Sequence, residues 1–151
     1  MRHLPELEAG YDWFFNQYRI EAERCTSRGD VEGIERLDAK RDVLERSILV
    51  LMFGQFEQAV NRTFEAALES RLSNPDWRHR RGWDISALRG RKVAFETKLA
   101  LVLDSRHPAF SEIMRTYAIR NHCAHGGMSQ AIGSIGALLA NLYSWRVLLT
   151  H

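Results

Sequence analysis

Long apolar runs are missing from this chain. The longest, Ile48 to Phe53, has six residues, against the roughly 20 that a membrane-spanning helix requires. The first residues, Met1-Arg2-His3-Leu4-Pro5-Glu6, lead into an amphipathic pattern with charges throughout. They offer neither the apolar centre of a secretory signal nor a transit peptide, so a soluble, cytoplasmic protein is expected. Cysteine is scarce: Cys25 and Cys123 lie far apart with no CxxC spacing, which points to reduced thiols and away from a disulfide framework. Lysine occurs only at Lys40, Lys92 and Lys98, so arginine makes up the other 18 of 21 basic residues. Arginine forks suit phosphate, although a codon bias of the source genome explains the skew equally well. A formal charge of +2 does not by itself announce a nucleic-acid binder. Strand alternation, a glycine-rich phosphate loop, a Ser-His-Asp order and paired catalytic carboxylates are all lacking.

What remains is helix after helix, in 151 residues that fit one domain, 1–151, with 45 % apolar content to build a core. From Pro5 to about Ser27 the residues Leu7, Tyr11, Phe14, Phe15, Tyr18 and Ala22 recur at three- and four-residue steps and predict one buried stripe. Arg28-Gly29-Asp30 breaks the pattern, and Asp30 is placed to cap the next helix, with Glu32 in its first turn. That helix keeps phase from Ile34 to about Leu72, with Gly54 as its expected bend. Its first half, Glu32 to Arg46, is mostly charged with a thin apolar seam, a composition that suits an exposed arm or a partner-facing helix. Glu57 shares a face with Phe53, Val60 and Phe64, so its carboxylate sits at the core's edge and should seek a cation or a donor.

Ser73-Asn74-Pro75-Asp76 ends the long helix. The connection Trp77-Arg78-His79-Arg80-Arg81-Gly82-Trp83 interleaves arginine with tryptophan. Arg78, Arg80 and Arg81 could grip phosphates while the indoles stack on bases; alternatively the tryptophans fold back as anchors of a surface loop. Asp84 or Ser86 would cap a third helix running to Leu103, Pro108 would open a fourth, and a last pattern runs from about Ser129 to Leu149. The expected architecture is an all-α antiparallel bundle of four to five helices.

The densest side-chain chemistry closes the fourth helix: Arg120-Asn121-His122-Cys123-Ala124-His125, followed by Gly126 and Gly127. A guanidinium holds its charge at any physiological pH and an imidazole titrates near neutrality, so the pair suffices for phosphodiester chemistry without metal. Residues five apart diverge by about 140° on an ideal helix, so Arg120 must wrap or the helix must loosen before Gly126 if both are to face one substrate. Asn121 and His125, four apart, share a face with Tyr117, and such polar groups on an apolar stripe need a satisfier, for which a second subunit is the favoured source. His122, Cys123 and His125 invite a metal reading, but adjacent ligands diverge by about 100° and no second cluster completes a zinc site. No metal and no cofactor are therefore expected.

Arg120, the four residues after it and His125, with Asn121 directly following the arginine, resemble the RxxxxH signature of HEPN domains. The run Leu49-Val50-Leu51-Met52-Phe53-Gly54-Gln55-Phe56-Glu57-Gln58-Ala59-Val60 is similar to a helix in bacterial members of that superfamily. The resemblance implies a HEPN-like helical fold and a metal-independent endoribonuclease acting on RNA as a homodimer, with both motifs facing one cleft. It also implies service as a toxin or phage-defence effector, with a cognate antitoxin protein as a partner. In that setting His125 would be general base on a ribose 2′-hydroxyl or general acid on the leaving oxygen, and Arg120 would stabilise the phosphorane. Asn121 joins them as a site residue, with Glu57, His122 and Tyr117 supporting them from behind. Two other functions stand beside this one: a non-catalytic HEPN-like domain binding a nucleotide or a protein, and a nucleic-acid binder working through the Arg78 to Arg91 region.

Overall fold

The computed structural model describes residues 1–81, 83 and 93–150. Among them the chain is all-α, with no strand and six helices: α1 (Leu4–Arg28), α2 (Val31–Leu72), α3 (Trp77–Arg80), α4 (Phe95–Val102), α5 (Pro108–Ala124) and α6 (Ile135–Leu148). None is long and apolar enough to cross a membrane. The chain forms two compact units, Met1–Gln55 with Ala118–Ala140, and Phe56–Tyr117 with Asn141–His151, so α2, α5 and α6 each contribute to both.

The first unit is built on the α1–α2 hairpin. Gly29 adopts φ +69° and ends α1, with Asp30 N–H donating to the Cys25 carbonyl and Gly29 N–H to that of Thr26. A left-handed residue closing these two bonds satisfies carbonyls that a helix end leaves over. Asp30 caps α2 as expected, its Oδ1 accepting from Gly33 N–H at 2.8 Å. The contacts Tyr18–Asp38, Tyr11–Glu45 and His3–Gln55 fix an antiparallel register. The α1 stripe is shallower than the pattern predicts: Leu4 alone is buried on that helix, Tyr11, Phe14 and Tyr18 are half-buried, and Phe15 is 41 % exposed. Phe15 instead lies between the rings of Tyr11 and Tyr18, at 5.9 and 6.0 Å. Burial along α2 deepens from Ile48 onward with Leu49, Met52 and Phe53, and Ile135, Leu138 and Leu139 complete this unit's buried set. The helix runs unbroken through Gly54, for roughly 60 Å over 42 residues.

In the second unit the later half of α2 buries Phe56, Val60, Phe64 and Ala67. Trp145 of α6 meets Phe56 edge-on at 5.8 Å. Leu99 and Val102 of α4 and Ile113 of α5 are buried as well, and Thr150 N–H ties the chain's end to the Val102 carbonyl at 2.9 Å. Asn74-Pro75-Asp76 stops α2 as predicted, and Asp76 then caps the single turn α3 by accepting from Arg78 N–H. The expected caps Asp84 and Ser86, and the basic residues Arg89 and Arg91, lie outside the described residues. Pro108 opens α5 as anticipated.

The last helix begins later than its apolar pattern. Gly133 has φ +71°, which no right-handed helix accommodates, so residues 129–134 stay non-helical. Ser134 starts α6, its carbonyl accepting from Leu138 N–H at 3.0 Å and its hydroxyl from Ala137 N–H at 3.4 Å. Gly133 and Gly136 therefore do not share one helix, although both fall within the apolar pattern.

Candidate functional site

The end of α5 is shaped by its two glycines. Gly126, at φ +81°, donates to the Cys123 carbonyl at 3.0 Å, and Gly127 to the His122 carbonyl at 2.9 Å. These bonds are the Schellman pair, the same closure Gly29 makes on α1. His125 N–H still donates to the Asn121 carbonyl at 3.1 Å, which makes His125 the last helically bonded residue. Its side chain is exposed, whereas Arg120 and Asn121 are half-buried. The site is therefore open to solvent and not sealed in a core.

Arg120 Nη1 donates to Asn121 Oδ1 at 2.9 Å, so the structure joins these two predicted site residues directly. The two imidazoles part company. His122 is half-buried, with Nε2 at 3.2 Å from Ser129 Oγ, and Gly127 packs against its ring so closely that an added Cβ would collide with it. His122 is thus a strut for the loop after α5, and His125 is the ring presented to solvent. Cys123 turns elsewhere, to Arg46 Nη1 at 3.7 Å.

Arg46 is the residue the sequence reading overlooked. It is 8 % exposed, binds Asp42 through Nε at 3.1 Å and Nη2 at 3.0 Å, and donates from Nη1 to the Gln130 carbonyl at 2.9 Å. The Asp42 bond pushes its guanidinium still further above the ordinary arginine value. One buried cation on α2 therefore clamps both the last turn of α5 and the loop that follows it. The only sequence signal was the i,i+4 Asp-Arg spacing, which by itself reads as a solvated surface pair.

Beside this clamp lies an open cavity of about 450 Å³, lined by Val43, Val50, Leu51, Cys123, Ala124 and Met128 among others. A second, of about 380 Å³, continues along α2 past Ala39, Val43 and Ser47. Positions four apart share one helix face, so Ala39, Val43, Ser47 and Leu51 form a single ridge, with Val43 and Leu51 each 55 % exposed and Met128 48 % exposed. Leu51, although it lies within the apolar phase that runs from Ile34 to about Leu72, stands on this open ridge.

The other predicted residues belong to the second unit. Glu57 and Tyr117 line one cavity of about 260 Å³. Arg78 and Arg81 are exposed, Arg80 is half-buried, and the Arg80 Nε is buried with no hydrogen-bond partner among the described residues. Trp77 stays 61 % exposed with Arg81 over its ring at 5.8 Å, and Arg71 covers the Trp83 ring at the same distance. Trp77 therefore does not anchor the connection, and its arginine and indole already stack on each other.

No protein-family model, curated protein or solved structure matches this chain.

Proposed function

We propose that this chain is a HEPN-type endoribonuclease of the cytoplasm, active as a homodimer and serving as a toxin or phage-defence effector. The observation that carries the reading is the division of labour at the end of α5. A guanidinium held by its neighbouring amide and a solvent-facing imidazole lie within six residues, on a turn fixed by glycine closure and by Arg46. Transesterification by the 2′-hydroxyl needs a proton acceptor, a proton donor and a cation for the phosphorane. His125 supplies one proton-transfer group per chain and Arg120 the cation. A second copy related by a twofold axis supplies the other imidazole, so that one His125 takes the 2′-hydroxyl proton while its mate protonates the leaving 5′-oxygen. The products are a 2′,3′-cyclic phosphate and a 5′-hydroxyl. The apolar ridge of Val43, Leu51 and Met128 supports such an assembly, because exposed apolar area of this kind marks contact surfaces.

Expression of the wild-type chain beside His125→Ala and Arg120→Ala, with growth and RNA integrity as readouts, tests this. Wild-type expression should arrest growth and leave RNA ends bearing cyclic phosphate, and both variants should be silent. Equal harm or equal harmlessness from all three removes the nuclease reading. It would then favour the non-catalytic interaction domain, for which the same ridge is the natural partner surface.

A further inference from the structure

Between residues 43 and 51 of α2 the exposed positions are Val43, Ser47 and Leu51, and none is charged. Val43 and Leu51 are equally exposed, and they stand four residues before and four residues after Ser47. Across the adjoining cavity the exposed residues Ala124, Gly126 and Met128 carry no charge either. Glu45, two residues from Ser47, lies on the far side of the helix, where it accepts from the Tyr11 hydroxyl at 3.0 Å. Ser47 is small, and its hydroxyl donates to the Val43 carbonyl at 2.9 Å, so covering this face strands no hydrogen-bond donor. The patch lies wholly within the first unit.

These features select the occupant. A twofold interface sets the same surface of two copies face to face, so a residue on the axis meets its own equivalent and its flanking residues exchange partners. A charge near such an axis would meet its own sign, and this face exposes none from Val43 to Leu51. The spacing is symmetric about Ser47 in the way an antiparallel pair requires, because position 43 of each copy then falls opposite position 51 of the other. Lys40 is the nearest exposed cation on this side of α2, seven residues from Ser47. Antiparallel pairing holds the two ammoniums about 20 Å apart, beyond the roughly 8 Å screening length, whereas a parallel pair would oppose them directly. Rows of residues four apart interdigitate with helix axes about 8–10 Å apart, crossing near 50°.

We propose that a second copy of this chain docks here about a twofold axis at Ser47, with α2 antiparallel to its mate and Val43 of each copy against the partner's Leu51. Met128 closes the side of the interface next to the end of α5. The inference deepens the homodimer of the nuclease reading and rests on that reading for its consequence. Ala124 and Gly126, the chain neighbours of His125, line the same cavity as Val43 and Leu51, so the axis passes beside the stretch that carries the exposed imidazole. The docking face itself is read by oligomeric state alone.

Sedimentation velocity of the full chain over a range of concentrations tests it. The wild type should pass from monomer to dimer as concentration rises. Val43→Asp and Leu51→Asp should each weaken dimerisation about tenfold or more, because a carboxylate is then desolvated against an apolar residue. Both positions are exposed in a single copy, so these variants should keep the wild-type circular dichroism. A charge swap reads the register: Val43→Lys joined with Leu51→Glu should dimerise more tightly than either single variant, since the new charges meet only across the axis. Ser47→Cys should form a disulfide-linked dimer with diamide, against the wild type as control. Axes about 8–10 Å apart leave facing Cα atoms about 3.5–5.5 Å apart, which overlaps the roughly 4.4–6.8 Å of a disulfide. A dimer indifferent to Val43→Asp and Leu51→Asp, a charge swap no tighter than its single variants, or no cross-link through Ser47→Cys would each overturn the proposal. A wild type that stays monomeric leaves the face to a partner of another sequence and overturns it too, even where RNA is cleaved. Dimerisation in this register without RNA cleavage upholds the face and removes only the nuclease reading.

Discussion

Replacing Gly126 by alanine isolates what the backbone contributes at the end of α5. An added Cβ there would meet nothing within 4 Å, so no clash enters. The only penalty is the left-handed conformation at φ +81°, which costs an L-residue about 1–2 kcal/mol. Alanine also restricts the unfolded chain, which offsets about 0.4–1 kcal/mol. The net destabilisation should be close to 1 kcal/mol, or about 2–4 °C in Tm for a chain of this length. Gly29 provides the control, with φ +69°, the same pair of closing bonds and equally open surroundings. Gly29→Ala should therefore cost the same, and Gly126→Asn should cost less than Gly126→Ala because asparagine tolerates this region better. Urea unfolding followed by circular dichroism measures all three. On the nuclease proposal the two alanine variants diverge in function: Gly126→Ala, directly after His125, should lower RNA cleavage, whereas Gly29→Ala should not. A Gly126→Ala protein as stable as wild type would refute the backbone reasoning, and equal cleavage by both variants would refute the claim that the turn positions His125.

The remaining expectations concern charge and titration. Arg46→Met should destabilise by about 2 kcal/mol, because it strands the Gln130 carbonyl and leaves Asp42 unpaired, and Arg46→Lys should fall between, lacking the fork; denaturant midpoints read both. Burial, followed by the hydrogen bond to Glu45, pushes the Tyr11 hydroxyl up to about 12. A folded value above the unfolded one gives stability that is complete below about pH 10 and lost as the pH rises through 12. Thermal scans should show on the order of 1 kcal/mol of this alkaline loss, after allowance for solvent screening, and the loss should vanish in Tyr11→Phe. Tyr18, raised chiefly by its hydrogen bond to Asp38, adds to the same window. If Arg80 and Arg81 contact RNA phosphates, the double alanine variant should flatten the slope of log affinity against log salt by about 1.4, and an unchanged slope would exclude the connection from binding.

Helix boundaries were legible where they depend on local chemistry. Gly29 followed by Asp30 announces a left-handed stop and a side-chain cap, and both are found in place. Pro108 opens α5 for the same kind of reason. The start of α6 was not legible, because an apolar pattern that includes Ile132 reads through Gly133, and only the backbone angle reveals that the glycine is turned away from helix. Burial depended on neighbours that periodicity cannot name. Leu51 and Met52 are adjacent apolar residues in one helix, yet Leu51 is 55 % exposed and Met52 fully buried, since each face of α2 meets different partners.

The same division runs through the candidate site. Sequence placed two imidazoles three residues apart in the last turn of one helix, and only the RxxxxH resemblance put His125 ahead of His122. Their difference comes from residues beyond the helix: Ser129 and Gly127 capture His122, whereas the His125 side chain is exposed. Arg46 belongs to the same logic, because an arginine in a charged helix becomes a buried clamp only when a loop 84 residues away turns its Gln130 carbonyl inward. A carbonyl has no sequence signature, so the groups that hold the motif in place were invisible while the motif itself was not. Side-chain chemistry can therefore nominate Arg120 and His125 from the letters alone, but the path of the chain around them is set by glycine φ angles at 126 and 133 and by the Gln130 carbonyl that Arg46 holds.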